Sequence, residues 1–256
     1  MSTIMTKSNI SFSTPSSNLE SELDQLLKLR TSLVLDHPLN QTIGLDLKKL
    51  FLMFELYAHF VYDFTEYVCK LFIALQDEDL KAVIYGNLTD EMGLDSLGGA
   101  SWEMQHGELY RQFILSLRRT DQYKATGLDG HINSIEAISK GIANRFYLSH
   151  AAIISEGNDL QSFAAFSTIE CWVCDLYSFW KRSLQNMGES HKDLDIRTID
   201  LHCICDVEHS VALDQLMCVK LKSADANALH QIKKGIIRGM AASEQLFADI
   251  HKEIIA

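Results

Sequence analysis

The stretch His202-Cys203-Ile204-Cys205-Asp206-Val207-Glu208-His209 places two imidazoles and a carboxylate at i, i+4 and i+7. At about 100° of turn per residue these three side chains fall within roughly 60° of one another, on one stripe of a helix. That is the geometry of a metal-binding face. Imidazole nitrogen with carboxylate oxygen suits iron or manganese at least as well as zinc, whose structural sites lean towards thiolate and imidazole. A solvated polar stripe on an acidic helix produces the same run, so partners elsewhere in the chain must decide between the two.

Working outward, the chain reads as helix nearly throughout. Its only prolines are Pro15 and Pro38, so everything after Pro38 can run as long helices without a forced break. Apolar spacing predicts helices over Ser21 to Leu35, Leu45 to Leu75, Asp77 to Met92 and Ser101 to Arg118. Four more are predicted over Ile132 to Ser155, Asn158 to Met187, Ile196 to Leu221 and Ala224 to Ile254. Gly93 and Gly98-Gly99 mark a loop between the third and fourth of these. With no period-2 segments and no internal repeat, the expected fold is all-α, a single bundle of about seven helices over residues 20–256.

Composition narrows the function. With 256 residues, 47% of them apolar, the chain can bury a sizeable core. A net charge of −11 argues against a nucleic-acid or anionic-membrane surface, which needs clustered Lys and Arg. Residues 1–19 are rich in Ser, Thr and Asn without an apolar run, and read as a disordered tail rather than a secretory signal. No stretch suggests a membrane span. Six cysteines without a regular framework fit free thiols in a reducing cytoplasm.

Candidate partners for the three-residue stripe are polar groups in otherwise apolar helices. Glu170 lies in Phe163-Ala-Ala-Phe-Ser-Thr-Ile-Glu170-Cys-Trp-Val-Cys, where an unpaired charge is costly to bury unless ligated or hydrogen-bonded. His106 follows in Trp102-Glu-Met-Gln-His106-Gly-Glu-Leu-Tyr, and the preceding helix ends in Asn87-Leu-Thr-Asp-Glu91-Met-Gly93. Either Glu91 or Glu103 can join His106.

The order Asn87-Leu-x-Asp-Glu91-x-Gly93, His106-x-Glu-Leu, a lone Glu170 and His202-x-x-x-Asp206-x-x-His209 resembles the haem-oxygenase-like di-iron oxidases. The resemblance implies a thiaminase-II-like bundle with a site of three histidines and three carboxylates. Its ligands would be Glu91, His106, Glu170, His202, Asp206 and His209. It also implies two iron ions, O2 as co-substrate, an external electron donor and pairing as a homodimer. Fourteen residues separate Glu91 from His106, more than is usual in that family, so Glu103 stands as an alternative or additional ligand. The expected activity is oxidation of a small metabolite, leaning to an amino acid or amine.

Tyr177 and Lys181, at i+7 and i+11 from Glu170, share its stripe and are candidates for proton donation and for anchoring a substrate carboxylate. Arg145 and His150 are weaker candidates, and the alternative for Lys181 is a snorkelling surface side chain. Cys171-x-x-Cys174 has zinc-knuckle spacing, but within a helix buried small apolar residues are the simpler use. Two rival readings stand beside the oxidase. One is a metal-free thiaminase-II-like hydrolase using Cys and Glu; the other is a non-enzymatic helical interaction protein.

Overall fold

The computed structural model describes residues 22–23, 25–30, 36–44, 46–94, 104–186, 192–222 and 226–256, with residues 204–207 and 226 by backbone alone. The tail expected over residues 1–19 lies outside the described residues. After helical residues 25–30 come α1 (Pro38–Ile43), α2 (Leu47–Ala74), α3 (Glu78–Glu91), α4 (His106–Arg119) and α5 (Asp121–Ala125). A 3-10 turn, Leu128–His131, leads into α6 (Ile132–Ile154), α7 (Asp159–Gln185), α8 (Arg197–Lys222) and α9 (Ala226–Ile255). Seven of these run 14 residues or more, in line with the expected bundle. The short α1, α5 and 3-10 turn escaped the sequence reading because one turn is too brief to show a period.

Side-chain caps set the helix starts. Asp46 accepts from the backbone N–H groups of Lys48 and Lys49 at the head of α2, Asp77 does so for Asp79 and Leu80 at α3, and Asn158 for Gln161 at α7. One boundary departs from expectation. The fourth helix begins at His106 rather than Ser101, because Gln105 is extended with ψ 133°.

The bundle closes around aromatic rings from α2 and α7. Trp180 meets Phe54 and Tyr57 edge-on at 5.2 and 4.9 Å, and Trp172 meets Phe247 of α9 at 5.0 Å. These contacts add to the apolar area the rings bury. Along α2, Phe51 and Phe54 are core, while Phe60 and Phe64 also wall a small internal cavity.

Two features hold α7 in register. Gly235 and Gly239 let α9 approach it so closely that a Cβ at Gly239 would stand 2.7 Å from the Ala165 carbonyl oxygen, and one at Gly235 would strike that of Gln161. Arg30, 1% exposed, reaches across from the N-terminal helical residues. Its guanidinium donates to both Asp214 oxygens at 2.9 and 2.7 Å and to the Ser167 carbonyl at 3.1 Å. Thus α7 and α8, which carry most of the candidate ligands, are tied together by one buried cation.

Candidate metal centre

The site begins with the way α3 stops. Gly93 has φ 70°, the left-handed region that glycine enters without a Cβ penalty. Its N–H donates to the Asp90 carbonyl at 2.9 Å, and the Leu94 N–H donates to that of Thr89 at 3.0 Å, a Schellman closure. Asp90 and Glu91 therefore occupy a pinned final turn, with Glu91 turned inward and 5% exposed.

His106 opens α4 directly opposite. Its Nδ1 donates to Glu91 Oε1 at 2.9 Å in a contact buried on both sides. From α8, the buried His202 ring lies 4.6 Å from that of His106. His202 donates Nδ1–H to the Thr198 carbonyl at 2.6 Å, which leaves Nε2 with its lone pair as the ligand atom. One ligand atom from each of Glu91, His106 and His202 lies within 4.8 Å of the others. First-row metal–ligand distances near 2.1 Å put ligand atoms about 3 to 4.2 Å apart, so this group fits one ion with little adjustment. Two histidines and one carboxylate are a donor set that non-haem ferrous iron shares with catalytic zinc.

A second cluster adjoins the first. Glu170, projecting from α7 and 4% exposed, faces His209 Nδ1 at 3.4 Å through Oε2. His209 turns its other nitrogen, Nε2, to Asp90 Oδ2 at 2.8 Å. Asp90 stands in the quoted motif, yet sequence reasoning gave it no role. The available signal was its place beside Glu91 at a glycine-terminated helix end. Asp206 belongs to the same α8 stripe, but its side chain lies outside the described residues. Glu103, the alternative or additional ligand, lies outside the described residues too.

Charge in the cluster is balanced pairwise. Burial disfavours the Glu91 carboxylate, but His106, with His202 and His209 behind it, outweighs burial and holds Glu91 below the usual carboxylate range. For His106, burial is likewise opposed and exceeded by Glu91, which raises the imidazole above its ordinary value. His202 differs: burial, with His106 adding to it, drives its pKa down to about 3, so it stands neutral as a ligand must.

Tyr177 is brought to the centre, its ring stacked on His202 at 4.2 Å and 6°. Together with Tyr57, Phe60, Phe64 and Val173 it walls a cavity of about 20 Å³ whose polar lining is Glu91, Glu170 and His202. Lys181 is not brought there. Eleven residues along a helix is about 16 Å, and at that distance from Glu170 its ammonium pairs with Asp200 at 2.7 Å and stays 40% exposed. Arg145 is also engaged elsewhere, donating to Asp249 at 2.8 Å. Cys171 and Cys174 are half-buried on α7, with no disulfide among the described cysteines.

The fold is similar to that of a solved CADD-like protein of unknown function from Nostoc punctiforme PCC 73102. The TM-score is 0.64 at 14% identity over 93% of this chain and 97% of that one. No protein of curated function matches the chain. No helix among the described residues is long and apolar enough to cross a membrane. A sequence profile described as iron-containing redox enzyme, of haem-oxygenase-like fold, matches residues 52–244. With that match spanning most of the bundle and reaching Glu91, His106, Glu170, His202 and His209, the chain belongs to the iron-containing redox enzyme family.

Proposed function

We propose that this protein is an O2-dependent, non-haem di-iron oxidoreductase that oxidises a small amine or amino acid. The observation that carries the reading is the buried Glu91, His106 and His202 group, with Glu170 and His209 beside it as the start of a second position. Asp206 would complete the second position. Bound iron supplies the redox chemistry and the open positions for O2. An external electron donor belongs to the reading, since bound iron would need electrons from outside the site to reduce O2 repeatedly.

The residues of this chain do the positioning. Thr198 holds His202 in one tautomer, and the Tyr177 ring clamps its face. Asp90 holds His209 from behind. Phe60, Phe64 and Val173 wall the small cavity with apolar surface, which strengthens the charge interactions inside it. With Lys181 and Arg145 paired elsewhere, no cation of this pair is left at the cavity to hold a substrate carboxylate, and its carboxylates Glu91 and Glu170 favour an amine nitrogen. A metal-free hydrolase or an interaction protein leaves the buried carboxylate and imidazoles without a purpose.

The test is anaerobic titration with ferrous iron, followed by O2, for wild type beside His202→Ala, with pools of amines, amino acids and fatty acids. The reading expects about two irons per chain and O2 consumption accelerated by one pool, both lost in the variant. Wild-type protein that takes up no ferrous iron under any of these conditions would refute it.

A further inference from the structure

A second buried polar pair lies next to the metal cavity and takes no part in it. Tyr67 of α2 is 4% exposed and His150 of α6 is 1% exposed. The Tyr67 hydroxyl meets His150 Nδ1 at 2.9 Å, and the rings cross at 5.1 Å and 71°. The other nitrogen, His150 Nε2, is buried with no hydrogen-bond partner. A buried polar atom left unpaired costs about 1 to 3 kcal/mol, which apolar side chains at these positions would avoid. The pair therefore calls for a reason other than packing.

Its location supplies one. Tyr67 follows Phe64 by one helical turn, with ring centroids 5.9 Å apart, and Phe64 walls the cavity that Glu91 and Glu170 line. Burial, with the Glu170 charge added to it, pushes the ionisation of the Tyr67 phenol far up. On its other side Tyr67 lines a surface pocket of about 540 Å³, together with Tyr147, Lys70 and Lys140. The phenol thus stands between the metal centre and a pocket open to solvent.

A phenol so placed does not release a proton alone. It can lose a proton and an electron together when a neutral base stands within hydrogen-bond reach. His150 is that base, because burial drives its pKa down to about 3 and keeps it unprotonated. With the Tyr67 hydroxyl as donor, the ring hydrogen of His150 resides on the unpaired Nε2.

We infer that Tyr67 and His150 form a proton-coupled electron relay between the iron centre and the surface pocket; the inference rests on the di-iron reading. In the forward step the Tyr67 O–H bond breaks. Its proton moves to His150 Nδ1 and its electron passes to the iron centre that has reacted with O2, which is the oxidant. A neutral phenoxyl and an imidazolium remain. In the return step a one-electron reductant at the pocket supplies an electron, His150 returns the proton, and the O–H bond re-forms.

The experiment is rapid freeze-quench electron paramagnetic resonance of iron-loaded protein mixed with O2, without added substrate or reductant, so that electrons must come from the protein. Iron content and O2 uptake are measured on the same samples. The relay predicts a tyrosyl signal in wild type that narrows with ring-deuterated tyrosine and is lost in Tyr67→Phe. Should Tyr67→Phe fail to fold, 3,5-difluorotyrosine installed at position 67 keeps the phenol, and fluorine splitting then marks a radical at that site. Iron loading and O2 uptake without a tyrosyl signal, or with one unchanged by either alteration, overturn the relay and leave the di-iron reading standing. Absence of iron uptake or O2 reaction removes both.

Discussion

His209 bridges two carboxylates: Nε2 stands 2.8 Å from Asp90 Oδ2, while Nδ1 faces Glu170 at 3.4 Å. A carboxylate behind a ligating imidazole fixes its tautomer and raises its basicity. Because the Asp90 side chain is 46% exposed, Asp90→Ala should leave folding intact. It should weaken iron binding at the position His209 serves by about 10- to 100-fold. A ferrous titration with two resolved steps checks this, and equal affinities in variant and wild type would show that Asp90 is a bystander.

The metal-free protein should lose stability on mild acidification. His150 titrates at about 3 in the folded state and near 6.5 when unfolded. Its neutral form in the fold therefore contributes fully above about pH 6.5. As pH falls towards 3 only the unfolded chain gains the proton, and stability drops by up to about 1.4 kcal/mol per unit. Urea midpoints between about pH 7.5 and 5 should decline for wild type and less steeply for His150→Phe. An identical slope in both would contradict this assignment.

Crowding between α7 and α9 predicts a strong effect from a single methyl group. Gly239→Ala drives a Cβ to 2.7 Å from the Ala165 carbonyl and 2.9 Å from Thr168 Oγ1, so the helices must separate. Overpacking of this kind costs about 1 to 3 kcal/mol. Since Thr168 stands two residues before Glu170, iron affinity should fall with the melting temperature. Gly130→Ala, with open space at the Cβ, serves as the control that should leave both within experimental error.

Arg30 offers a test of the buried cation. Arg30→Ala leaves Asp214 without the guanidinium nitrogen that reaches both its oxygens; the expected loss is about 2 to 3 kcal/mol. That is below the usual cost for a fully buried pair because Asp214 keeps 27% of its side chain exposed. Combining Arg30→Met with Asp214→Leu should recover much of the loss, since an apolar pair of similar volume needs no charge compensation. Denaturant unfolding of the two variants beside wild type decides it, and a double variant no more stable than Arg30→Ala would contradict the assignment.

The long helices were legible because their apolar residues recur at the helical period and caps such as Asp46, Asp77 and Asn158 mark where they start. The start of α4 was not. Residues 101–105 carry helix-compatible side chains, and the extended backbone of Gln105 has no local signature. At the site, Glu91, His106, Glu170, His202 and His209 stood out as polar groups at ligand spacing or in apolar surroundings. Lys181 shared the stripe of Glu170 by angle alone, and angular position does not report the 16 Å of axial rise that carries it to Asp200 instead (about 1.5 Å per residue). The role of Asp90 and the pairing of His150 with Tyr67 went unread for a related reason, since the partners lie on other helices at large sequence separation.

Helical class, and the stripe that puts His202, Asp206 and His209 on one face of α8, follow from local spacing, because backbone geometry converts sequence separation directly into angle. Convergence of that face with Glu91, His106 and Glu170 follows from packing. It depends on the left-handed turn at Gly93, the glycine contacts between α9 and α7 and the Arg30 tie to Asp214, each of which sets a distance between helices rather than an angle within one.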